Sequence, residues 1–201
     1  MAFSGGLDST VLLHRLAQDP VVRAGGLHAI HVHHGLHPDA DAWAEHCAAF
    51  CRTLDVPVQV HHVRVDTSLG DGIEAAARRA RHAAFAEVMQ AGDIIALAHH
   101  RDDQAETFLL RALRASGPDG LAAMRPWRAF ASGWLWRPLL EASRTALQAY
   151  ADAHALRWIE DPSNASTALD RNFLRHAVLP LLRQRWPHAD AAFARRAALS
   201  A

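Results

Sequence analysis

The chain of 201 residues contains no lysine, and arginine supplies all 21 of its basic side chains. Without lysine the sequence cannot form a Walker phosphate loop, which requires Gly-x-x-x-x-Gly-Lys-Ser/Thr. The sequence shows neither an apolar run of membrane length nor a signal peptide, so we expect no membrane partner. Because 21 acidic residues balance the arginines, the net charge points to no particular partner.

Cysteine is also scarce and occurs only at positions 47 and 51. A spacing of four places both thiols on one face of a helix. This spacing differs from the Cys-x-x-Cys spacing of redox and zinc sites. We therefore expect Cys47 and Cys51 to be buried, reduced thiols in a cytoplasmic protein.

The most informative motif lies within the first ten residues. Three apolar residues lead into a polar loop, and an apolar helical pattern follows; the loop comprises Ser4, Gly5, Gly6, Leu7, Asp8 and Ser9. Adjacent glycines permit positive φ and a close ligand, and amide groups that open a helix attract oxyanions. This pattern predicts a phosphate or pyrophosphate site, with Mg²⁺ bridging the Asp8 carboxylate to the phosphates. The alternative is an ordinary corner in which Ser4 or Asp8 caps the helix.

Strand and helix patterns alternate along the first part of the chain. Such alternation predicts an α/β fold with a doubly wound, Rossmann-like parallel sheet. The predicted strands cover residues 27–33, 57–64 and 93–98, and the predicted helices cover residues 9–18, 39–54, 71–90 and 102–115. A capping box from Asp71 to Glu74 is expected to open the third of these helices. Because only three residues precede the glycine loop, we expect part of its strand to be missing from the N-terminus.

The pattern changes after residue 116, where a smaller and mostly helical part is expected. We predict a core of residues 1–125 and a C-terminal part of residues 126–201. The second part is expected to hold a helix at 143–155, a short strand at 156–160, a polar loop at 161–170 and a helix at 171–185. Six arginines and one acid, Asp190, lie between residues 171 and 201, which suits either RNA or a solvated helix face.

Two charged patterns on predicted helices carry possible chemistry. Asp103 and Glu106 lie one turn apart, so they can hold Mg²⁺ or an ammonium group or accept a proton, or else form a capping box. Arg78 and Arg81 share another helix face and suit a phosphate, while a solvated Glu74–Arg78 salt bridge is the alternative.

Ligands of doubly wound sheets bind beyond the carboxyl ends of the strands. Ser4, the pair His33-His34 and the pair His99-His100 all fall at such ends, so the motifs are expected to converge on one cleft. The many histidines also suggest a metal hydrolase. Adjacent histidines on a strand point to opposite faces, which makes that alternative the weakest.

The glycine loop resembles the pyrophosphate loop of the ATP pyrophosphatases, or PP-loop enzymes, and the later motifs resemble the tRNA(Ile)-lysidine synthetases among them. The resemblance covers nearly the whole chain. It rests on the loop and on the segments 31–36, 74–81, 99–107, 137–140, 161–164 and 171–176. It implies an adenine nucleotide alpha hydrolase-like fold, and it implies that the C-terminal domains many members use for the tRNA body are absent.

The resemblance also implies a reaction. These enzymes use ATP and Mg²⁺ to adenylate C2 of the wobble cytidine of an isoleucine tRNA with a CAU anticodon. The amine of free lysine then displaces AMP. The resemblance implies that the loop residues hold the pyrophosphate, that Asp8 meets Mg²⁺, and that Asp103 and Glu106 hold lysine.

Further roles follow only from the resemblance. Arg78 is expected to meet phosphate or to complete the lysine site. Seven residues are expected near the tRNA or the mouth of the site, namely Arg81, Asp102, Asn164, Arg171, Asn172, Arg175 and His176. A homodimer is also expected.

Two alternatives to this reaction remain open. One is another RNA-modifying ATP pyrophosphatase of the 2-thiocytidine type, for which the spacing of Cys47 and Cys51 is unsuited to a metal cluster. The other is a nucleotide-binding fragment without catalytic activity.

Overall fold

The computed structural model describes residues 1–70 and 72–200. The strands are β1 (Ala29–His33), β2 (Val58–His62), β3 (Ile94–Ala96), β4 (Trp127–Phe130) and β5 (Gly133–Trp136). The first helices are α1 (Leu7–Gln18), α2 (Pro20–Ala24), α3 (Ala40–Thr53), α4 (Ile73–Val88), α5 (Arg101–Leu113) and α6 (Pro118–Leu121). The later ones are α7 (Arg144–Ala153), a 3₁₀ turn (Pro162–Ala165), α8 (Asp170–Phe173), a π-helical turn (Leu174–Val178), α9 (Leu179–Arg185) and α10 (Ala189–Leu199). Within the described ranges no helix is both long and apolar enough to cross a bilayer.

The N-terminal residues join two groups of strands into one layer. β1 pairs with β2 and β3 pairs with β5, both in parallel. Ala2 donates its N–H to the Ala96 carbonyl at 3.0 Å, and Phe3 donates to the Ile30 carbonyl at 2.8 Å. The layer order is therefore β2, β1, residues 1–3, β3, β5 and β4, with β4 antiparallel to β5 at one edge. The predicted parallel α/β sheet is confirmed, with a hairpin added at its edge.

Helices cover both faces of this sheet, as a doubly wound fold requires. Leu13 of α1 and Cys47 of α3 are fully buried on one face, in the same cluster as Ala29 of β1. Phe85 of α4 packs on the other face with Leu135 of β5. Side chains alternate between the faces of a strand, which is why neighbouring apolar residues enter two different cores.

Two local predictions differ from the structure. Residues 156–160 form no strand; instead Ile159 donates its N–H to the Gly5 carbonyl at 2.9 Å, so this segment supports the glycine loop. The β4–β5 hairpin lies beyond the predicted boundary at residue 125, yet β5 pairs with β3, and the two proposed parts share one sheet. Asp71, predicted to open α4, lies outside the described residues, and Gly72 occupies the N-cap position.

Candidate active site

The loop from Ser4 to Ser9 turns the chain from the sheet into α1. Gly5 has φ of +81°, a conformation that favours glycine, and Gly6 is the N-cap residue. No side chain caps α1; the Ser9 hydroxyl donates to the Gly6 carbonyl at 3.0 Å and lies 3.1 Å from the Ser4 hydroxyl. Ser4 Oγ accepts from the N–H of Gly6 at 3.4 Å, ahead of the first helical residue, and neither Ser4 nor Asp8 caps α1 as the alternative requires. The uncapped amides at this helix start are suited to an anion.

Ile159 and Cys47 pack closely against the glycine loop. A Cβ atom on Gly5 would lie 2.6 Å from Ile159 Cδ1 and 2.8 Å from Cys47 Sγ. Cys47 and Cys51 are buried and unpaired, which confirms the predicted burial of two free thiols. Burial, followed by the neighbouring Cys51, raises the pKa of Cys47 to about 12, so this thiol stays protonated and apolar in character.

Asp8 connects the glycine loop to the start of α5. Its Oδ2 lies 3.6 Å from His100 Nε2 and 3.6 Å from Arg144 Nη1. Burial alone would raise the pKa of Asp8, but His100, Arg144 and Arg175 outweigh it, and the pKa lies below its usual value. Asp8 is therefore an ionised carboxylate at neutral pH.

A buried cluster of two acids and two arginines lies beside this contact. Glu106 is only 1% exposed and accepts from Arg171 Nε and from Arg175 Nε, each at 2.7 Å. Asp103 Oδ1 lies 3.4 Å from Arg171 Nη2 and 3.2 Å from Arg175 Nη2. Arg171 and Arg175 are four residues apart, so both guanidinium groups project from one helix face onto the acids. These four charges balance.

Asp103 also takes part in a capping box, in a different position from the predicted one. His100 is the N-cap of α5, and its backbone N–H donates to Asp103 Oδ2 at 3.0 Å. The Asp103 N–H returns a bond of 3.4 Å to His100 Nδ1. The predicted box with Asp103 as cap and Glu106 as its partner is wrong, because α5 begins three residues earlier than that box requires.

Asp102 links three helices at the same place. Its Oδ2 accepts from the Arg144 backbone N–H at 2.9 Å, at the start of α7, and its Oδ1 accepts from Arg183 Nη2 of α9 at 3.1 Å. Arg183 also donates to Asp190 at 2.6 Å. No sequence pattern pointed to Arg144 or Arg183, because their partners at Asp102 are distant in the chain.

The polar loop after residue 160 is held by residues that were expected near the substrate. Asn172 donates its amide to the Ser163 carbonyl at 3.0 Å and to the Ser166 carbonyl at 2.8 Å. His176 Nε2 lies 2.8 Å from the Asn164 carbonyl oxygen. Asn172 and His176 thus fix the backbone of this loop.

Four arginines and one histidine form a second group, which we call the arginine basin: Arg78, Arg81, Arg128, Arg137 and His99. Desolvation and then neighbouring arginines lower the pKa values of Arg78, Arg81 and Arg137. Among the described residues no ion pair joins Glu74 to Arg78 within 4.0 Å, although the charge of Glu74 acts on Arg78, so the alternative of a Glu74–Arg78 salt bridge is not observed. Arg128 and Arg137 were not predicted as functional residues, since the strands that position them were not recognised.

A cavity of about 190 Å³ lies between the start of α5 and the C-terminal helices. It brings together five predicted site residues, one histidine of the pair expected at a strand end, and two arginines that the sequence did not indicate. The predicted site residues are Asp102, Glu106, Asn164, Arg175 and His176, the histidine is His100, and the two arginines are Arg144 and Arg183. Because His100 contacts Asp8, the cavity adjoins the glycine loop.

Asp8 has the properties expected of a Mg²⁺ ligand. Its Oδ1 is buried without a hydrogen-bond partner among the described residues, and the carboxylate is ionised. Among residues 1–70 and 72–200 there is no group of three or more histidine, cysteine or acidic side chains arranged to hold a metal ion. A Mg²⁺ ion that is shared with phosphates needs only one or two protein carboxylates, so Asp8 fits it.

A parallel sheet with a glycine loop and an acidic cluster at its carboxyl edge defines a nucleotide-binding enzyme domain. The chain belongs to the PP-loop domain family, which matches residues 1–182, and this membership implies ATP binding. It is 66% identical over 201 residues to the tRNA(Ile)-lysidine synthase of Xanthomonas axonopodis pv. citri (strain 306), covering 100% of this chain and 46% of that protein. It is 62% identical to the tRNA(Ile)-lysidine synthase of Xylella fastidiosa (strain Temecula1), with the same coverage.

The chain thus spans a little under half the length of these curated relatives. A solved structure, the U34-tRNA thiolase NcsA from Methanococcus maripaludis with its [4Fe-4S] cluster, matches with a TM-score of 0.78 and 16% identity. The match covers 98% of this chain and 69% of the thiolase. At this identity the comparison establishes the shared fold.

Proposed function

We propose that the chain is the catalytic part of a tRNA(Ile)-lysidine synthetase. It would ligate lysine to C2 of the wobble cytidine of an isoleucine tRNA with a CAU anticodon, releasing AMP and pyrophosphate. The observation that carries this proposal is the 3.6 Å contact between Asp8 and His100, which brings the glycine loop and the acids of α5 to one cleft. The relatives at 62–66% identity support the same reaction.

The glycine loop is assigned to ATP. Its backbone amides and the Ser4 and Ser9 hydroxyls would hold the pyrophosphate, and Asp8 would hold Mg²⁺. When bound, this ion would offset the negative charge of the phosphates. Asp8 remains a carboxylate because His100, Arg144 and Arg175 keep its pKa low.

Asp103 and Glu106 are assigned to lysine. Their charges are balanced by Arg171 and Arg175, so the entry of a lysine ammonium requires that one guanidinium leave the carboxylates. The released arginine would then be available for an RNA phosphate. A carboxylate within reach of the ammonium can also accept its proton, which an amine must lose before it acts as a nucleophile.

The other residues support this arrangement. Asp102 orders the starts of α5 and α7, whereas Asn172 and His176 hold the loop containing Asn164 beside the cavity. These contacts favour positioning roles at the mouth of the site. We assign Arg78 and Arg81 to an anionic group of the substrate.

The test is incubation of the protein with ATP, Mg²⁺, labelled lysine and a tRNA carrying a CAU anticodon. We expect label in this tRNA and none in a control whose wobble cytidine is replaced by uridine. Asp8→Asn should abolish pyrophosphate release and labelling together, because the metal-binding carboxylate is lost. Asp55→Asn is the control variant, since Asp55 is 98% exposed and lies in a turn with φ of +52°. Absence of label with the wild-type protein would refute the proposal.

The fold neighbour suggests no second function for this chain. That thiolase carries an iron–sulfur cluster, and such clusters are bound by cysteine thiolates in most proteins. Cys47 and Cys51 are buried beneath the glycine loop, and burial raises the pKa of Cys51 to about 11. These thiols are poorly suited to a cluster.

The expected homodimer and cytoplasmic location belong to the same proposal. Trp127, Trp134 and Ile94 are 45–50% exposed on β4, β5 and β3, near one edge of the sheet, and such an apolar patch favours a protein contact. Sedimentation velocity would measure the mass, and a monomer at all concentrations would refute the dimer. A tRNA substrate and ATP are consistent with the cytoplasm.

A further inference from the structure

Arg137 is a buried cation without an acidic partner in the described part of the chain. Its side chain follows β5, and the residue is only 5% exposed. Nη1 donates to the Arg125 carbonyl at 2.7 Å, whereas Nε has no hydrogen-bond partner in the described residues. Burying an unpaired charge costs several kcal/mol, so an arginine in this position ordinarily has an anion beside it.

The neighbours of Arg137 increase this cost. Burial, and then Arg128 and Arg78, lower the pKa of Arg137 to about 10. Arg81 is likewise desolvated and has no ion pair within the described part of the chain. Glu74 is the acid whose charge favours Arg78 and Arg81, and it forms no direct ion pair with either. One distant carboxylate does not neutralise this group of guanidinium groups.

His99 is also desolvated and also has a ring nitrogen without a hydrogen-bond partner among the described residues. Burial and the nearby Arg137, Arg171 and Arg81 hold its pKa well below the ordinary value, so the imidazole is neutral. Its Nδ1 is buried without a hydrogen-bond partner among the described residues. The arginine basin therefore contains two buried, unpartnered polar groups, Nε of Arg137 and Nδ1 of His99, on adjacent strand ends.

The basin lies on the edge of the sheet that carries the glycine loop. Arg137 follows β5 and His99 follows β3, two parallel neighbours, at their carboxyl ends. Arg171 connects the basin to the acidic cluster. Its charge lowers the pKa values of His99 and Arg78, and its Nε donates to Glu106. A ligand in the basin would thus lie beside the cleft.

We propose that the arginine basin binds the phosphodiester backbone of the RNA substrate next to the nucleotide that is modified. The RNA identity rests on the proposed function. A single carboxylate or phosphate would satisfy Arg137 but leave the others unpaired. The basin combines the buried Arg137 with the exposed Arg78 and Arg128, so several consecutive phosphates suit its charge.

The test compares binding by three arginine variants. Arg137→Met removes the buried charge at similar length, Arg128→Gln removes an exposed charge of the basin, and Arg52→Gln is the control. Arg52 is exposed near the end of α3, at the opposite edge of the sheet. The probe is a fluorescein-labelled RNA stem-loop with C-A-U in its loop, measured by anisotropy at several salt concentrations. Mg·ATP and lysine are titrated separately by calorimetry.

We expect each basin variant to weaken RNA binding about tenfold and to reduce the salt slope by about one. Binding of Mg·ATP and lysine should stay within twofold of the wild type, and Arg52→Gln should change nothing. Arg137→Met should not lower the melting temperature of the free protein, because it removes an uncompensated buried charge. If Arg137 had only a structural role, Arg137→Met would instead lower the melting temperature.

Other outcomes overturn the assignment. Unchanged RNA affinity in both basin variants, or no RNA binding by the wild type, refutes it. A selective loss of Mg·ATP affinity would make the basin part of the nucleotide site, and a selective loss of lysine affinity would assign it to the amino-acid carboxylate. RNA binding that depends on the basin, without lysine incorporation by the wild type, would refute the proposed ligase and leave the RNA site intact.

Discussion

His100 Nε2 lies 3.6 Å from Asp8 Oδ2 and 3.5 Å from Asp103 Oδ2. One buried imidazole thus stands between the glycine loop and the acids of α5. Burial alone would lower the pKa of His100, but Asp8, Asp103 and Asp102 outweigh it and raise the pKa above its usual value. The contact couples the two halves of the cleft electrostatically.

This coupling predicts a dependence of stability on pH. Because the folded pKa of His100 is raised, its contribution is complete below pH 6.5 and is lost as the pH rises through the folded pKa. Asp8, whose pKa is lowered, contributes above pH 3.8, and this contribution is lost as the pH falls through its folded pKa. Urea unfolding at pH 6 and pH 9 should show a smaller decrease for His100→Gln than for the wild type. Equal decreases would contradict the coupling.

The lowered pKa of His82 predicts that stability changes with pH in the opposite direction at acidic pH. Burial, and then the arginines of the basin, lower its pKa to about 4 from 6.5. The unfolded chain therefore binds more protons between about pH 4 and 6.5, and stability should rise with pH across that window. His82→Gln should flatten this rise in urea unfolding. His188→Gln is the control, since His188 is exposed and makes no side-chain capping bond; an equal flattening there would refute the role of His82.

Replacement of Gly5 should be more damaging than replacement of a glycine with similar backbone strain. Gly5 and Gly26 have φ of +81° and +85°, but a Cβ atom would meet close neighbours only at Gly5, with nothing within 4 Å at Gly26. We expect Gly26→Ala to cost about 1–2 kcal/mol. Gly5→Ala should cost about 1–3 kcal/mol more, because Cys47 and Ile159 must move.

Chemical denaturation measures both variants, and Ile159→Val in the Gly5→Ala background should recover part of the loss. Mg·ATP binding should weaken in Gly5→Ala and remain unchanged in Gly26→Ala. Equal destabilisation of the two variants would show that backbone strain alone accounts for the effect.

The buried pair of Glu106 and Arg171 should be strongly coupled. A double-mutant cycle with Glu106→Gln and Arg171→Gln is expected to give a coupling energy of about 1.5–3 kcal/mol, because the bond is charged and shielded from water. The exposed pair Arg114–Asp170, whose side chains are 70% and 76% exposed, is the control and should give less than about 1 kcal/mol. Similar coupling energies for both pairs would mean that burial does not strengthen the Glu106–Arg171 interaction.

Glu106→Gln also separates the two substrates. We expect a larger effect on the KM for lysine than on Mg·ATP binding, since the carboxylate faces the arginines and the cavity rather than the glycine loop. Equal losses for both substrates would indicate that Glu106 acts only through the stability of the cleft.

The sequence alone predicted those features that depend on residues close together in the chain. Two glycines and an aspartate before an apolar helical pattern predict the loop, because the backbone geometry of a strand–turn–helix corner depends on consecutive residues. The convergence of Asp8 with His100 also followed, since the carboxyl ends of parallel strands meet at one edge. The short β4 and β5 strands, rich in tryptophan and arginine, lacked an alternating pattern clear enough to predict them.

Residue types and their spacing by themselves determined the sheet class, the glycine loop and the acids Asp103 and Glu106 beside it. Only the tertiary structure decided that Arg171 and Arg175 neutralise these acids, and that Arg137 is buried without a carboxylate from the described residues. The reason is physical: periodicity reports the conformation of neighbouring residues, whereas the charge that surrounds a side chain depends on segments that meet only after folding.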